Sequence, residues 1–106
     1  MTARSLDYLP AARAEFVRAA EAVEALTGLG LSFDAETRRV EAAILEAPEA
    51  QPLELDAPPG LVVRRARIGR FPWRLVYLVE PARLLVVAVA HVGREPGYWG
   101  ERLDQD

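Results

Sequence analysis

Three side chains near the C-terminus suit proton transfer and phosphate binding. His91 is the only histidine in the chain, and Arg94 and Tyr98 follow it closely. Histidine exchanges a proton near neutral pH, arginine binds phosphate oxygens in pairs, and tyrosine stacks on bases or donates a hydrogen bond. Together they predict a site for cleaving RNA by acid–base chemistry. The alternative is structural: His91 ends a strand, hydrogen-bonds to backbone and holds the C-terminal tail.

A group of arginines provides a second candidate site. On a strand, Arg65 and Arg67 point to one face and Arg64 to the other. Such a face suits phosphate groups, the acidic first half of the chain, or an acidic partner protein. The candidates for phosphate or partner binding are Arg65, Arg67, Arg70, Arg74 and Arg102.

The charge is unevenly distributed along the 106 residues. Residues 1–61 hold five Arg against eleven Asp or Glu, whereas residues 62–102 hold eight Arg against three Glu. This asymmetry places the expected working surface in the second half, facing nucleic acid or an acidic partner. All thirteen basic residues are Arg, so no lysine is present to act as a base or to form a Schiff base.

The composition argues against several classes of protein. The absence of cysteine and the single histidine exclude a disulfide framework and make a zinc site improbable, so we expect no metal and no cofactor. No phosphate-binding or dinucleotide-binding glycine motif is present. The longest apolar run, residues 84–90, is far short of the roughly 18 residues that suggest a membrane span. Residues 1–4 carry no apolar leader, so we expect a soluble cytoplasmic protein.

Apolar periodicity predicts two helices in the first half. The first covers residues 10–26, with a buried stripe of Phe16, Ala19, Ala20, Val23 and Leu26. The second covers residues 33–47, with Ser32 as its cap and Asp34 and Glu36 in its first turn. Pro48 should end this helix. Its predicted buried residues are Phe33, Val40, Ile44 and Ala47. The short link between them predicts an antiparallel hairpin.

Strand patterns fill the second half. We predict strands at residues 61–68, 73–79 and 84–91, and a short edge strand at residues 5–8. Because residues 84–90 are apolar on both faces, the last strand should be central. Trp99 is expected to pack on the core, and Val76 and Leu78 to lie under a helix or at a dimer contact. The whole chain is predicted to be one α+β domain: a short strand, a helical hairpin and a three-stranded antiparallel sheet.

The ordered motifs of residues 62–102 resemble the RelE/ParE toxin superfamily, which includes proteins called plasmid stabilisation proteins. An Arg-rich strand leads to an Arg-Phe-Pro-aromatic turn, and an apolar strand ending in His precedes Arg-x-Pro-x-Tyr-Trp-x-x-Arg. The matching residues are Arg65, Arg70, Phe71, Pro72, Tyr77, Val79, Val89, His91, Arg94, Pro96, Tyr98, Trp99 and Arg102.

The resemblance implies a toxin that inhibits growth and is neutralised by a cognate antitoxin, as a homodimer or in a toxin–antitoxin hetero-oligomer. RelE-like members cleave mRNA on the ribosome without a metal, whereas ParE-like members inhibit DNA gyrase and need no general base. This chain is acidic and lacks the lysines typical of the nucleases, so we expect the ParE-like activity. Two alternatives stay open: a RelE-like nuclease that uses His91, Arg94 and Tyr98, and a degenerate member that only binds its antitoxin.

Overall fold

A short strand and a helical hairpin come first in the chain, and three strands follow. The structure, a computed structural model, describes residues 4–103. The elements are β1 (Ser5–Tyr8), α1 (Pro10–Thr27), α2 (Gly30–Glu46), β2 (Val63–Arg67), β3 (Trp73–Val79) and β4 (Arg83–His91), with short 3₁₀ helices at Pro48–Ala50 and Gly100–Leu103. The predicted α+β order is therefore confirmed. Residues 1–3 and 104–106 lie outside the described residues. Residues 1–3 are part of the stretch from which we expected no leader.

The turn of the hairpin differs from the prediction. Gly28 ends α1 with a φ of 73°, as a glycine in the left-handed region should. The second helix, however, begins at Gly30, so Ser32 is not its cap and the predicted first turn with Asp34 and Glu36 is wrong. The Glu24 carboxylate accepts a hydrogen bond from the Gly30 N–H at 3.0 Å. This side chain therefore satisfies an unpaired N–H at the start of the helix, which begins two residues before Ser32.

Apolar side chains hold the hairpin against the sheet. Phe33 is fully buried and stands edge-on to Phe71 and Trp73, with ring centroids 5.2 and 5.7 Å away. Two residues of the predicted stripes are exposed instead. Leu26 is 81% exposed because it lies at the hairpin turn, where no part of residues 4–103 covers it, and Ala47 is exposed just beyond the end of α2.

The sheet has the strand order β1-β4-β3-β2. The prediction that β4 is central is confirmed: it pairs with β1 in parallel and with β3 in antiparallel orientation, and residues 84–90 are all buried. The short N-terminal strand lies at the edge, as expected. The register of β3 and β4 shifts once, because Val76 pairs with Ala88 and Tyr77 with Val86. Val87 is therefore the extra residue of a β-bulge.

The C-terminal tail, residues 92–103, covers the face of the sheet opposite the hairpin. Trp99 is 1% exposed and packs in a second core cluster with Val76, Leu78 and Val87. Core packing of Trp99 is thus confirmed, and Val76 and Leu78 lie under this tail and not under the hairpin. No helix within residues 4–103 is long and apolar enough to cross a membrane.

We expect Trp99→Ala to destabilise the protein by about 3–5 kcal/mol, because it removes the largest buried side chain of the second cluster. Urea unfolding of the variant measures this loss. Leu31→Ala is the control, since Leu31 is 89% exposed and its loss should change the free energy of unfolding by less than about 0.5 kcal/mol. Equally small losses in the free energy of unfolding for both variants would show that Trp99 of the tail does not pack on this face of the sheet.

Candidate functional site

A buried carboxylate lies where α1, β4 and the tail meet. Glu15 is 7% exposed and accepts four hydrogen bonds. Both Nη atoms of Arg102 donate to it at 2.9 Å, the Tyr98 hydroxyl donates at 2.9 Å, and the Val89 N–H donates at 3.0 Å. Glu15 was not among the residues that the sequence predicted for a site. It lies three residues after Ala12 and four before Ala19, both buried, and that spacing is the signal that places it on the inner face.

The Glu15–Arg102 pair also completes the backbone hydrogen bonding of β4. The pairing with β1 ends where the Leu9 N–H donates to the Val86 carbonyl, yet β4 continues to His91. Beyond that point Arg102 donates to the Val87 carbonyl at 2.8 Å and Glu15 accepts from the Val89 N–H. The two side chains thus take the place of a neighbouring strand for the Val87 carbonyl and the Val89 N–H.

The protonation states at this junction follow from burial and hydrogen bonding. Burial by itself raises the pKa of Glu15, but the donors from Arg102, Tyr98 and Val89 outweigh it and hold the pKa below its ordinary value. Burial and the neighbouring Glu15 carboxylate raise the pKa of Tyr98 to about 12. At neutral pH the Tyr98 hydroxyl is therefore a neutral donor that is already committed to Glu15.

Three of the predicted site residues line one cavity. His91, Arg94 and Tyr98 surround a space of about 170 Å³ between α1 and the end of β4, together with Arg18 and Trp73. The Arg94 guanidinium lies 3.8 Å from the centre of the Tyr98 ring. This is the cluster that the sequence predicted as an acid–base site, and Arg18 of α1 is an additional member that sequence reasoning missed.

The ring of His91 is exposed but oriented. Its Nδ1 accepts the Gly93 N–H at 3.0 Å, so in the neutral ring Nε2 carries the proton. The ring stands edge-on to Trp73, with centroids 4.9 Å apart. The Nε2–H of His91 is therefore left as a donor without a partner among residues 4–103. In residues 4–103 no three His, Asp or Glu side chains come together as a metal site would require.

The other predicted group gathers on a different surface. Arg65, Arg67 and Arg74 line a cavity of about 300 Å³. The Glu54 carboxylate lies 3.6 Å from Arg65 and 3.8 Å from Arg74, and its side chain is only 9% exposed. Part of the positive charge is thus neutralised within the chain. Arg70 is exposed in the turn after β2 and lines neither cavity.

The two cavities lie on opposite faces of the sheet. Trp73 pairs with His91 and packs on the hairpin side. Arg74, the next residue, pairs with Arg67 in β2 and must point to the other face because successive strand side chains alternate. A phosphate held by Arg67 and Arg74 is therefore out of reach of His91. The fifth predicted arginine, Arg102, is held by Glu15 and Val87.

Comparison with solved structures finds the same fold in a chain of a structure described as "Chromosomal ParDE TA system from P. aeruginosa". The TM-score is 0.68 at 15% sequence identity, and the match covers 84% of this chain and 96% of that chain. No protein-family model and no curated protein matches the sequence. The match shows that this chain shares the fold of that chain.

Replacing Glu15 by Gln should lower the free energy of unfolding at pH 7 by about 2–3 kcal/mol, because Arg102 loses its buried ionic partner. Since the pKa of Glu15 is lowered by folding, its contribution is present above the unfolded pKa of about 4.3 and is lost as the pH falls through the folded pKa. The difference between wild type and variant should therefore shrink in acid.

Urea unfolding of both proteins between pH 7 and pH 3 measures this dependence. Glu21→Gln is the matched control, because Glu21 is an exposed carboxylate on the same helix. A loss as small as in the control, or a difference that stays constant down to pH 3, would contradict the assignment of Glu15 as an ionised anchor.

Proposed function

We propose that this chain, which has the RelE/ParE-like fold, is the toxin of a type II toxin–antitoxin pair. It acts in the cytoplasm as a ParE-like inhibitor of DNA gyrase, arrests growth, and is neutralised when a cognate antitoxin binds it in a hetero-oligomer. The observation that carries the toxin role is the fold match over nearly the whole of a chain from a ParDE system. The target is inferred from the chemistry of the site.

The hydrogen bonding of the cavity supports a binding protein over a nuclease. General acid–base catalysis needs a group that can release and regain its proton close to the operating pH. The Tyr98 hydroxyl has its pKa raised to about 12 and donates to Glu15, and the Arg102 guanidinium is already occupied. These polar groups hold the tail in place. Inhibition of gyrase by binding makes no demand on them.

The separation of the two cationic groups supports the same conclusion. RNA cleavage by attack of a 2′-hydroxyl needs a positive group on the phosphate beside the proton-transfer residues. Here Arg65 and Arg74 lie on the face opposite His91, so among the arginines of residues 4–103 only Arg18 and Arg94 line the cavity with it. We assign the surface formed by Arg65, Arg67 and Arg74 to contact with an acidic partner, either the antitoxin or the target, because it retains uncompensated positive charge.

The RelE-like nuclease is the second candidate, and one observation favours it. His91, Arg94 and Tyr98 line a single cavity, and Arg94 could itself hold the phosphate there. This activity would run through His91 Nε2 as the proton donor. It therefore predicts steep sensitivity to loss of His91, which the gyrase proposal does not.

Two reconstituted assays separate the candidates. Purified chain should inhibit DNA supercoiling by gyrase and leave mRNA intact in ribosomal translation. The double variant His91→Ala/Tyr98→Phe should inhibit supercoiling to the same extent as wild type, because neither side chain performs chemistry. If instead the chain cleaves mRNA on ribosomes and the double variant loses about 10²–10⁴-fold of that rate, the nuclease is correct and the gyrase proposal fails.

A further inference from the structure

The cavity beside His91 holds more positive charge than its surroundings neutralise. Arg18 and Arg94 both line it, and neither has a carboxylate of residues 4–103 within 4.0 Å. Glu15 is the one acidic residue in its lining, and both of its oxygens are already occupied by Arg102, Tyr98 and Val89. Among residues 4–103, two guanidinium groups therefore line the cavity without a carboxylate of their own.

The remaining polar group on the wall is also a donor. His91 directs Nδ1 to the Gly93 N–H, so the protonated Nε2 is the atom left for a ligand. Arg94 is held in position by its contact with the Tyr98 ring, and that ring is itself fixed by the hydrogen bond to Glu15. A group of donors with no free acceptor between them is the arrangement that binds an anion.

The size of the cavity limits that anion to a single small group. Its volume of about 170 Å³ is close to that of a cavity that encloses one benzene ring, roughly 150 Å³. Sites for nucleotide-sized ligands are usually about 300–1,000 Å³. One carboxylate group fits within this space, whereas a whole nucleotide would extend beyond it.

The surface around the cavity favours a protein over a nucleic acid. One wall is α1, and the hairpin residues 10–46 carry four Arg against seven Asp or Glu. On α1 itself two Arg stand against three Glu, so a polyanion meets net negative charge only where it extends over the hairpin as a whole. Val17, which precedes the lining residue Arg18 on α1, is 47% exposed and offers apolar contact. A segment with one acidic residue among apolar ones matches these properties.

We propose that the cavity between α1 and the end of β4 is a carboxylate-binding site, in which Arg18 and Arg94 bind an Asp or Glu side chain of a protein partner. His91 Nε2 donates a further hydrogen bond to the same group. The proposal rests on the proposed function only in identifying that partner as the antitoxin. It makes Arg18, on the outer part of α1, a determinant of partner binding.

The test uses propionate, which has the structure of a glutamate side chain, as the probe. Purified chain is titrated at constant ionic strength with sodium chloride as the balancing salt, and the arginine side-chain Nε–Hε resonances are followed by NMR. We expect saturable shifts at Arg18 and Arg94. Arg18→Met should weaken binding about tenfold, the loss expected for one charge-assisted hydrogen bond.

Arg39→Met is the matched control, because it removes the same charge from an exposed site on α2 that does not line the cavity. It should leave propionate binding unchanged, and both variants should unfold at the same urea concentration as wild type. Arg94→Met provides a second cavity variant and should repeat the effect of Arg18→Met.

Three results would overturn the proposal: no saturable shift with propionate, equal weakening by Arg18→Met and Arg39→Met, or displacement of propionate by a short oligouridylate that binds more tightly through Arg18. The last result would assign the cavity to nucleic acid. Because propionate binding is measured without gyrase or ribosomes, its failure does not depend on the outcome of the supercoiling assay, and the two proposals can fail separately.

Discussion

The ionised carboxylate of Glu15 is the constraint that organises the second half of the structure. A charge buried away from water is costly unless other groups neutralise and hydrogen-bond it. Arg102, Tyr98 and Val89 fulfil this requirement from the tail and from the central strand. Because β1 is too short to cover the whole edge of β4, the same interaction also satisfies the backbone where that strand is missing. Helix, strand and tail are thus fixed relative to one another at one point.

This anchoring determines which groups are left for binding. Tyr98 is turned toward Glu15, so it presents its ring to Arg94 and not its hydroxyl to a substrate. With Glu15 neutralised by Arg102, the positive charge of Arg18 and Arg94 remains available in the cavity. The second cationic surface is separated from this one by the thickness of the sheet. The molecule therefore has two positively charged surfaces: one places Arg18 and Arg94 beside His91, and the other is formed by Arg65, Arg67 and Arg74 on the opposite face.

Much of the fold could be predicted because local patterns decide it. The apolar run of residues 84–90 required a strand covered on both faces, and the spacing of Phe16, Ala19 and Val23 required a helix against a core. The start of α2 was wrong because Glu24, six residues away, supplies the acceptor that Ser32 was expected to provide. Glu15 was missed because its partner Arg102 is 87 residues distant, and no local pattern shows that a charged residue on an inner face will be paired. The bulge at Val87, whose carbonyl accepts a hydrogen bond from Arg102, likewise involves residues that are far apart in the chain.

The most direct test is the carboxyl titration of Glu15, followed by ¹³C NMR of the side-chain carboxyl in the folded protein. A carboxylate held by Arg102, Tyr98 and the Val89 N–H should titrate below the ordinary glutamate pKa of about 4.3, and its resonance should change together with that of the Val89 amide. A Glu15 pKa at or above that value, or a Val89 amide that does not respond as Glu15 protonates, would show that burial outweighs the donors and would contradict this account of what holds the tail, the strand and the helix together.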